Sequence, residues 1–142
     1  MKLAVLSLPI CFAAAVLSLA GCDNSETVAL QKGSGPEIIT WDSLKTIQSR
    51  DIMMGVAMNS GMGNFDGLKK HVQEPKFVDA VTAFENEPIP SKYATPDREA
   101  ARTELINNLQ GLIEDAKANA ANDQLKAKAD AIQTSLKKLV SG

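Results

Sequence analysis

Four methionines, Met53, Met54, Met58 and Met62, fall within ten residues of one another. A thioether is a soft, neutral donor that suits Cu(I). Met54, Met58 and Met62 are spaced four apart, so a helix running that far would set them on one face. The single histidine, His71, lies across the next turn and would join them as a metal ligand. The plainer reading is core packing. Methionine is flexible and fills irregular gaps beside small neighbours, and Gly55, Ala57, Gly61 and Gly63 are small. A partner-binding surface is the third reading.

Little else in the chain is arranged for chemistry. His71 stands between Lys70 and Val72 and reads as a solvated side chain on an exposed helical turn. The carboxylate pairs Glu85/Glu87, Asp97/Glu99 and Glu114/Asp115 sit near helix ends or on polar faces. Acid–base work needs two groups whose shared environment splits their pKa values; these read as solvated charge and helix-dipole compensation. No GxSxG, P-loop, GxGxxG or HExxH occurs. The Gly61-Met62-Gly63-Asn64 run lacks the Lys and Ser/Thr that follow in a phosphate cradle. These absences argue against an enzyme.

The start of the chain carries a different signal. Lys2 is followed by an apolar run from Leu3 to Ala20, broken only by Ser7, Pro9 and Ser18, and then by Gly21 and Cys22. A positive start, an apolar middle and a small-residue end make a secretory signal. Pro9 and the acidic residues Asp23 and Glu26 argue against a permanent membrane span. Leu19-Ala20-Gly21-Cys22 resembles the lipobox of bacterial lipoproteins. The resemblance implies cleavage after residue 21 and diacylglycerol on the Cys22 thiol, with acylation (palmitate-type) of the new amino group. Two or three acyl chains hold a protein on a membrane, whereas one holds it marginally. Asp23 after the lipidated cysteine resembles an inner-membrane retention signal of enterobacterial lipoproteins.

The two cysteines are Cys11, inside the signal, and Cys22. The mature domain therefore has no thiol for zinc, iron–sulfur, redox or c-type haem chemistry. The chain carries 15 basic and 17 acidic residues, and losing Lys2 with the signal takes the net charge from −2 to about −3. No basic block suggests nucleic-acid binding.

Residues 22–37 are polar and broken by Gly33, Gly35 and Pro36, which reads as a flexible tether. Residues 38–142 form one domain by this reading. Trp41, Leu44 and Ile47 open a helix, capped by Thr40 or Asp42, that runs through Met58. Residues Asn59 to Gly63 break it. Phe65 to Phe84 is the next, kinked or split at Pro75, with Val72, Phe77, Val78, Val81 and Phe84 as its apolar face. Glu87 to Thr95, with Pro88 and Pro90, is an extended connector that offers Ile89 and Tyr93 as a partner surface. Thr95 caps a third helix with Pro96 in its first position and an apolar face of Ala101, Leu105, Leu109, Leu112, Ile113 and Ala116. After a turn at Asn119–Asp123, with Asp123 as N-cap, Leu125, Ala129, Ile132, Leu136 and Leu139 repeat at intervals of four and three. No run alternates as a strand does.

Each helix has one apolar stripe that it cannot bury alone, and the short turn before the last one makes neighbours of two. The expectation is an all-α, small antiparallel four-helix bundle after a cleaved signal peptide and a tether. Its architecture is loosely similar to that of the cytochrome b562 and cytochrome c′ class. The CxxCH and the C-terminal-helix histidine of that class are absent, so haem is not carried over and no cofactor is expected beyond the lipid. The functional expectation is a membrane-anchored envelope lipoprotein facing the periplasm or the exterior, its non-enzymatic domain working by protein interaction in a structural or accessory role. The alternative is a periplasmic ligand-binding bundle that takes a soft metal through the methionines.

Overall fold

A computed structural model describes residues 41–141 and the backbone of 30–31 and 36–37. The stretches expected as signal peptide and tether, with Cys22 and Asp23, lie almost wholly outside the described residues. The described residues are all-α apart from one short pairing. Strands β1 (Leu30–Gln31) and β2 (Pro36–Glu37) pair antiparallel, with Leu30 opposite Glu37, and β1 lies beside the last helix. Two residues are too few to show alternation, so the pairing left no pattern in the sequence.

Helix α1 spans Asp42–Gln48, followed by a π-helical turn at Arg50–Met54 and helix α2 at Gly55–Gly61. The expected single helix through Met58 is thus interrupted. Ser49 is extended, at φ −60° and ψ 155°, and its carbonyl accepts the N–H groups of Ile52 and Met53 at 3.1 and 3.0 Å. Serine competes locally for backbone hydrogen bonds and so favours such boundaries. The cap of α1 also differs from expectation. Asp42 is already helical, and the Ser43 N–H donates to the Glu87 carboxylate at 3.0 Å.

Helix α2 reaches Gly61 rather than ending at Asn59. Gly63 takes the left-handed conformation, φ 69°. Its N–H donates to the Ser60 carbonyl at 3.2 Å, and the Asn64 N–H donates to the Asn59 carbonyl at 2.8 Å. This Schellman closure satisfies carbonyls that a helix end leaves open. Asn64 then caps helix α3 (Phe65–Val72), its side chain accepting from Gly67 N–H at 3.1 Å. One Gly-Asn pair therefore ends one helix and begins the next.

Pro75 splits the Phe65–Phe84 stretch, starting helix α4 (Pro75–Asn86) at its first position. Helix α5 (Pro96–Lys117) begins as its sequence implies, with the Thr95 hydroxyl accepting from Arg98 N–H at 3.3 Å. It closes on Asn119, at φ 54°, with Ala120 N–H on the Asp115 carbonyl at 2.8 Å. Helix α6 (Asn122–Ser141) places Asp123 inside its first turn instead of at the N-cap, where the charge still faces the positive end of the dipole.

The apolar stripes meet in one core. Leu105, Leu109 and Leu112 of α5 and Leu125, Ala129 and Ile132 of α6 are fully buried. Glu104 pairs with Lys138 at 3.0 Å, tying the start of α5 to the end of α6. Trp41 stacks on Phe84 with ring centroids 5.4 Å apart. Each large buried side chain contributes about 1.5–3 kcal/mol, and with few aromatics this pair anchors the α1–α4 end.

The connector between α4 and α5 packs inward. Tyr93 is 1% exposed and Ile89 is half-buried against the core. The expected partner surface at Ile89 and Tyr93 is therefore corrected. The segment lacks helical hydrogen bonds, but its apolar groups still gain by leaving water.

Candidate functional site

The π-helical turn and α2 have two opposed faces. Ile52, Val56 and Ser60 are buried and recur every four residues. Met54, Met58 and Met62 recur with the same spacing, offset by two residues. Two helical residues turn the chain by about 200°, so the methionines point away from the core. Met54 is 38%, Met58 49% and Met62 74% exposed, and among the described residues these are the exposed large hydrophobic side chains. Only Met53, at 8% exposure, does what the packing reading expects of all four. Continuation of the helical backbone to Met62, at φ −85° and ψ −3°, keeps the row intact.

His71 does not stand free on a solvated turn, as the sequence suggests. Its side chain is 15% exposed. The ε2 nitrogen lies 3.1 Å from the Ile52 carbonyl; a carbonyl can only accept, so that nitrogen carries a proton. The δ1 nitrogen faces Glu74 Oε2 at 3.7 Å, and the ring meets Phe77 edge-on at 5.5 Å. The ring also lies on Gly55, where an added Cβ would collide with it. A glycine at position 55 is needed for space, because its φ of −58° and ψ of −43° suit any residue. His71 thus fastens α3 to the π-helical turn.

One ion pair and one hydrogen bond brace the same region. Lys76 at the start of α4 bonds Asp51 in the π-helical turn. That hydrogen bond and the Lys76 charge hold the Asp51 carboxyl below its usual value of 3.8. Lys69 donates to the Asn119 side chain at 2.6 Å, joining α3 to the turn before α6.

The remaining polar clusters do structural work. Arg102 Nη2 reaches the carbonyls of Phe84, Glu85 and Glu87 at 2.9, 2.8 and 2.8 Å, while its guanidinium lies over the Phe84 ring. It caps the end of α4, as Glu87 caps the start of α1. Glu85 accepts from Gln110 at 2.9 Å. Arg98 is 3% exposed; its Nη1 lies 3.4 Å from the Tyr93 carbonyl. No sequence signal separated Arg98 and Arg102 from the other charged residues of α5, because their partners come from a preceding segment.

A shallow cleft of about 390 Å³ lies between α5 and α6, lined by Asp97, Ala100, Ala101, Glu104, Lys138 and Ser141. Its central charges, Glu104 and Lys138, are already paired. Among the described residues, no group of three or more His, Cys, Asp or Glu side chains converges as a metal site. Among those residues, too, no helix is long and apolar enough to cross a membrane. The methionine row is the surface feature that folding does not explain. No family model, curated protein or solved structure matches the chain.

Proposed function

We propose that the protein is a lipid-anchored module of the bacterial cell envelope that works by contact through its methionine face, in a structural or accessory role and without catalysis. The observation that carries this is the row Met54, Met58 and Met62, exposed opposite the buried line Ile52, Val56 and Ser60. Apolar side chains in water forgo burial energy, and a contiguous exposed set marks a contact surface. The anchor rests on the signal-like run and Leu19-Ala20-Gly21-Cys22. Asp23 favours the inner membrane.

The scaffold for this face is an antiparallel four-helix bundle. In this arrangement α1 with α2 forms one arm, α3 with α4 the second, and α5 and α6 the third and fourth. Pairing of Glu104 with Lys138 and the approach of Lys128 to Gly111 support opposite directions for α5 and α6. Such a bundle holds the contact helix rigid at a distance from the lipid.

The test combines anchor and face. Cys22→Ser is expected to release the chain from membranes. A photo-crosslinker at position 58 is expected to give a discrete adduct in cells that disappears when Met54 and Met62 become Gln. Unchanged membrane fractionation of Cys22→Ser, or a bare Cys22 by intact mass, refutes the anchor. Absence of any face-dependent adduct refutes the contact reading.

A further inference from the structure

We infer that the methionine row is a binding site for a soft monovalent metal ion, Cu(I), held by two thioethers at a time with Met58 as the shared ligand. This inference rests on the reading of that face as the working surface, and it names what the face takes. The first observation is selectivity of residue type. Among the described residues the exposed large hydrophobic side chains are Met54, Met58 and Met62, with no leucine, isoleucine or phenylalanine beside them. Methionine serves adaptable apolar contacts, and a face built of thioethers throughout is also a row of sulfur donors. Thioether sulfur is the soft donor among the apolar side chains, and soft donors select Cu(I).

The second observation is spacing. The backbone from Met54 to Met62 is helical, so neighbouring methionines in the row have Cβ atoms about 5–6 Å apart. An ion bridging two sulfurs needs them about 4.6 Å apart, twice a metal–sulfur bond of about 2.3 Å. Flexible side chains on adjacent turns satisfy that. Met54 and Met62 are separated by two turns, a rise of about 12 Å. That exceeds what two thioether arms can close on one ion, so the workable pairs are Met54 with Met58 and Met58 with Met62. His71 is left out of the ligand set, because its ε2 nitrogen serves the Ile52 carbonyl and its δ1 nitrogen faces Glu74. Binding is simple coordination: the thioethers are neutral, they release no proton, and the ion keeps its oxidation state.

The experiment uses the full acylated chain in detergent, titrated anaerobically with Cu(I) against a competing chelator, and with Ag(I) as a redox-inert probe. Expected is one ion per chain with Kd below about 1 μM. Changing Met54, Met58 and Met62 together to Leu keeps the apolar face and high helix propensity but removes the sulfur. It is expected to weaken binding at least about tenfold, or 1.4 kcal/mol, with helical circular dichroism unchanged. Met58→Leu alone is expected to match the triple variant. Met54→Leu and Met62→Leu each leave one pair and are expected to cost about twofold, the loss of one of two equivalent sites (~0.4 kcal/mol).

Binding weaker than micromolar, binding undiminished in the triple Leu variant, or equal effects at all three positions overturns the inference. If the crosslinker at position 58 still gives the cellular adduct with Met54 and Met62 changed to Leu while Cu(I) does not bind the parent, the metal inference fails and the contact reading stands. If Cu(I) binds as expected and no adduct forms, protein contact fails and the metal site stands.

Discussion

Gly55→Ala offers a direct test of how the π-helical turn and α2 are seated. In an ordinary helical position this change stabilises by about 1 kcal/mol, since alanine is the better helix former. Gly55 has ordinary helical angles, so a reading from backbone alone expects that gain. The tertiary structure reverses the sign. A Cβ at position 55 would run into the His71 ring, which is held by the Ile52 carbonyl on one side and edge-on Phe77 on the other. Overpacking of this kind costs about 1–3 kcal/mol, and displacing the ring adds about 1 kcal/mol for its hydrogen bond. The net is a loss of about 2 kcal/mol, or a fall in Tm of roughly 10 °C for a domain of this size. The assay is urea and thermal unfolding of the full chain followed by circular dichroism, with the cycle completed by His71→Ala and the double variant. Without the ring the Cβ has room, so the double variant is expected to be more stable than the two single losses sum to, by about 1–2 kcal/mol. A Gly55→Ala protein as stable as the parent, or strictly additive losses, refutes the placement of His71 against the helix.

Arg102→Met keeps a long stem over the Phe84 ring but removes the donor that serves three carbonyls at the end of α4. It is expected to cost about 2 kcal/mol in urea unfolding, and no loss would mean that solvent serves those carbonyls equally well. Asp51→Asn tests the Lys76 pair through pH. The Asp51 carboxyl is held below its ordinary value, so its contribution is present above that ordinary value and is lost as the pH falls through the lowered folded one. The stability gap between the parent and Asp51→Asn is expected to be open at neutral pH and to close in acid; a gap constant with pH refutes the pairing.

Features set by near neighbours were legible in the sequence. Thr95 and Pro96 start α5 because a hydroxyl and a missing N–H suit a helix start in any context. The stripes of α5 and α6 follow from spacing alone, and Pro75 divides α3 from α4 because its ring is incompatible with a helix interior. The break at Ser49 was not legible, since a single serine favours a helix boundary only weakly. Burial of Tyr93 was hidden because a proline-rich connector has no period to show which side faces inward.

The methionines mark the boundary between the two kinds of information. Their spacing of four residues put Met54, Met58 and Met62 in line once the helix was known to continue, and helix geometry alone dictates that. Which way the line faces depended on Ile52, Val56 and Ser60 being drawn into the core, a choice made by the opposing helices α3 and α6. The role of His71 was settled in the same way, by a glycine and a backbone carbonyl from a segment nineteen residues earlier. A sequence fixes the angular relation between residues of one helix, because the backbone hydrogen bonds are local. Which face meets the core is decided only when the other helices compete for it.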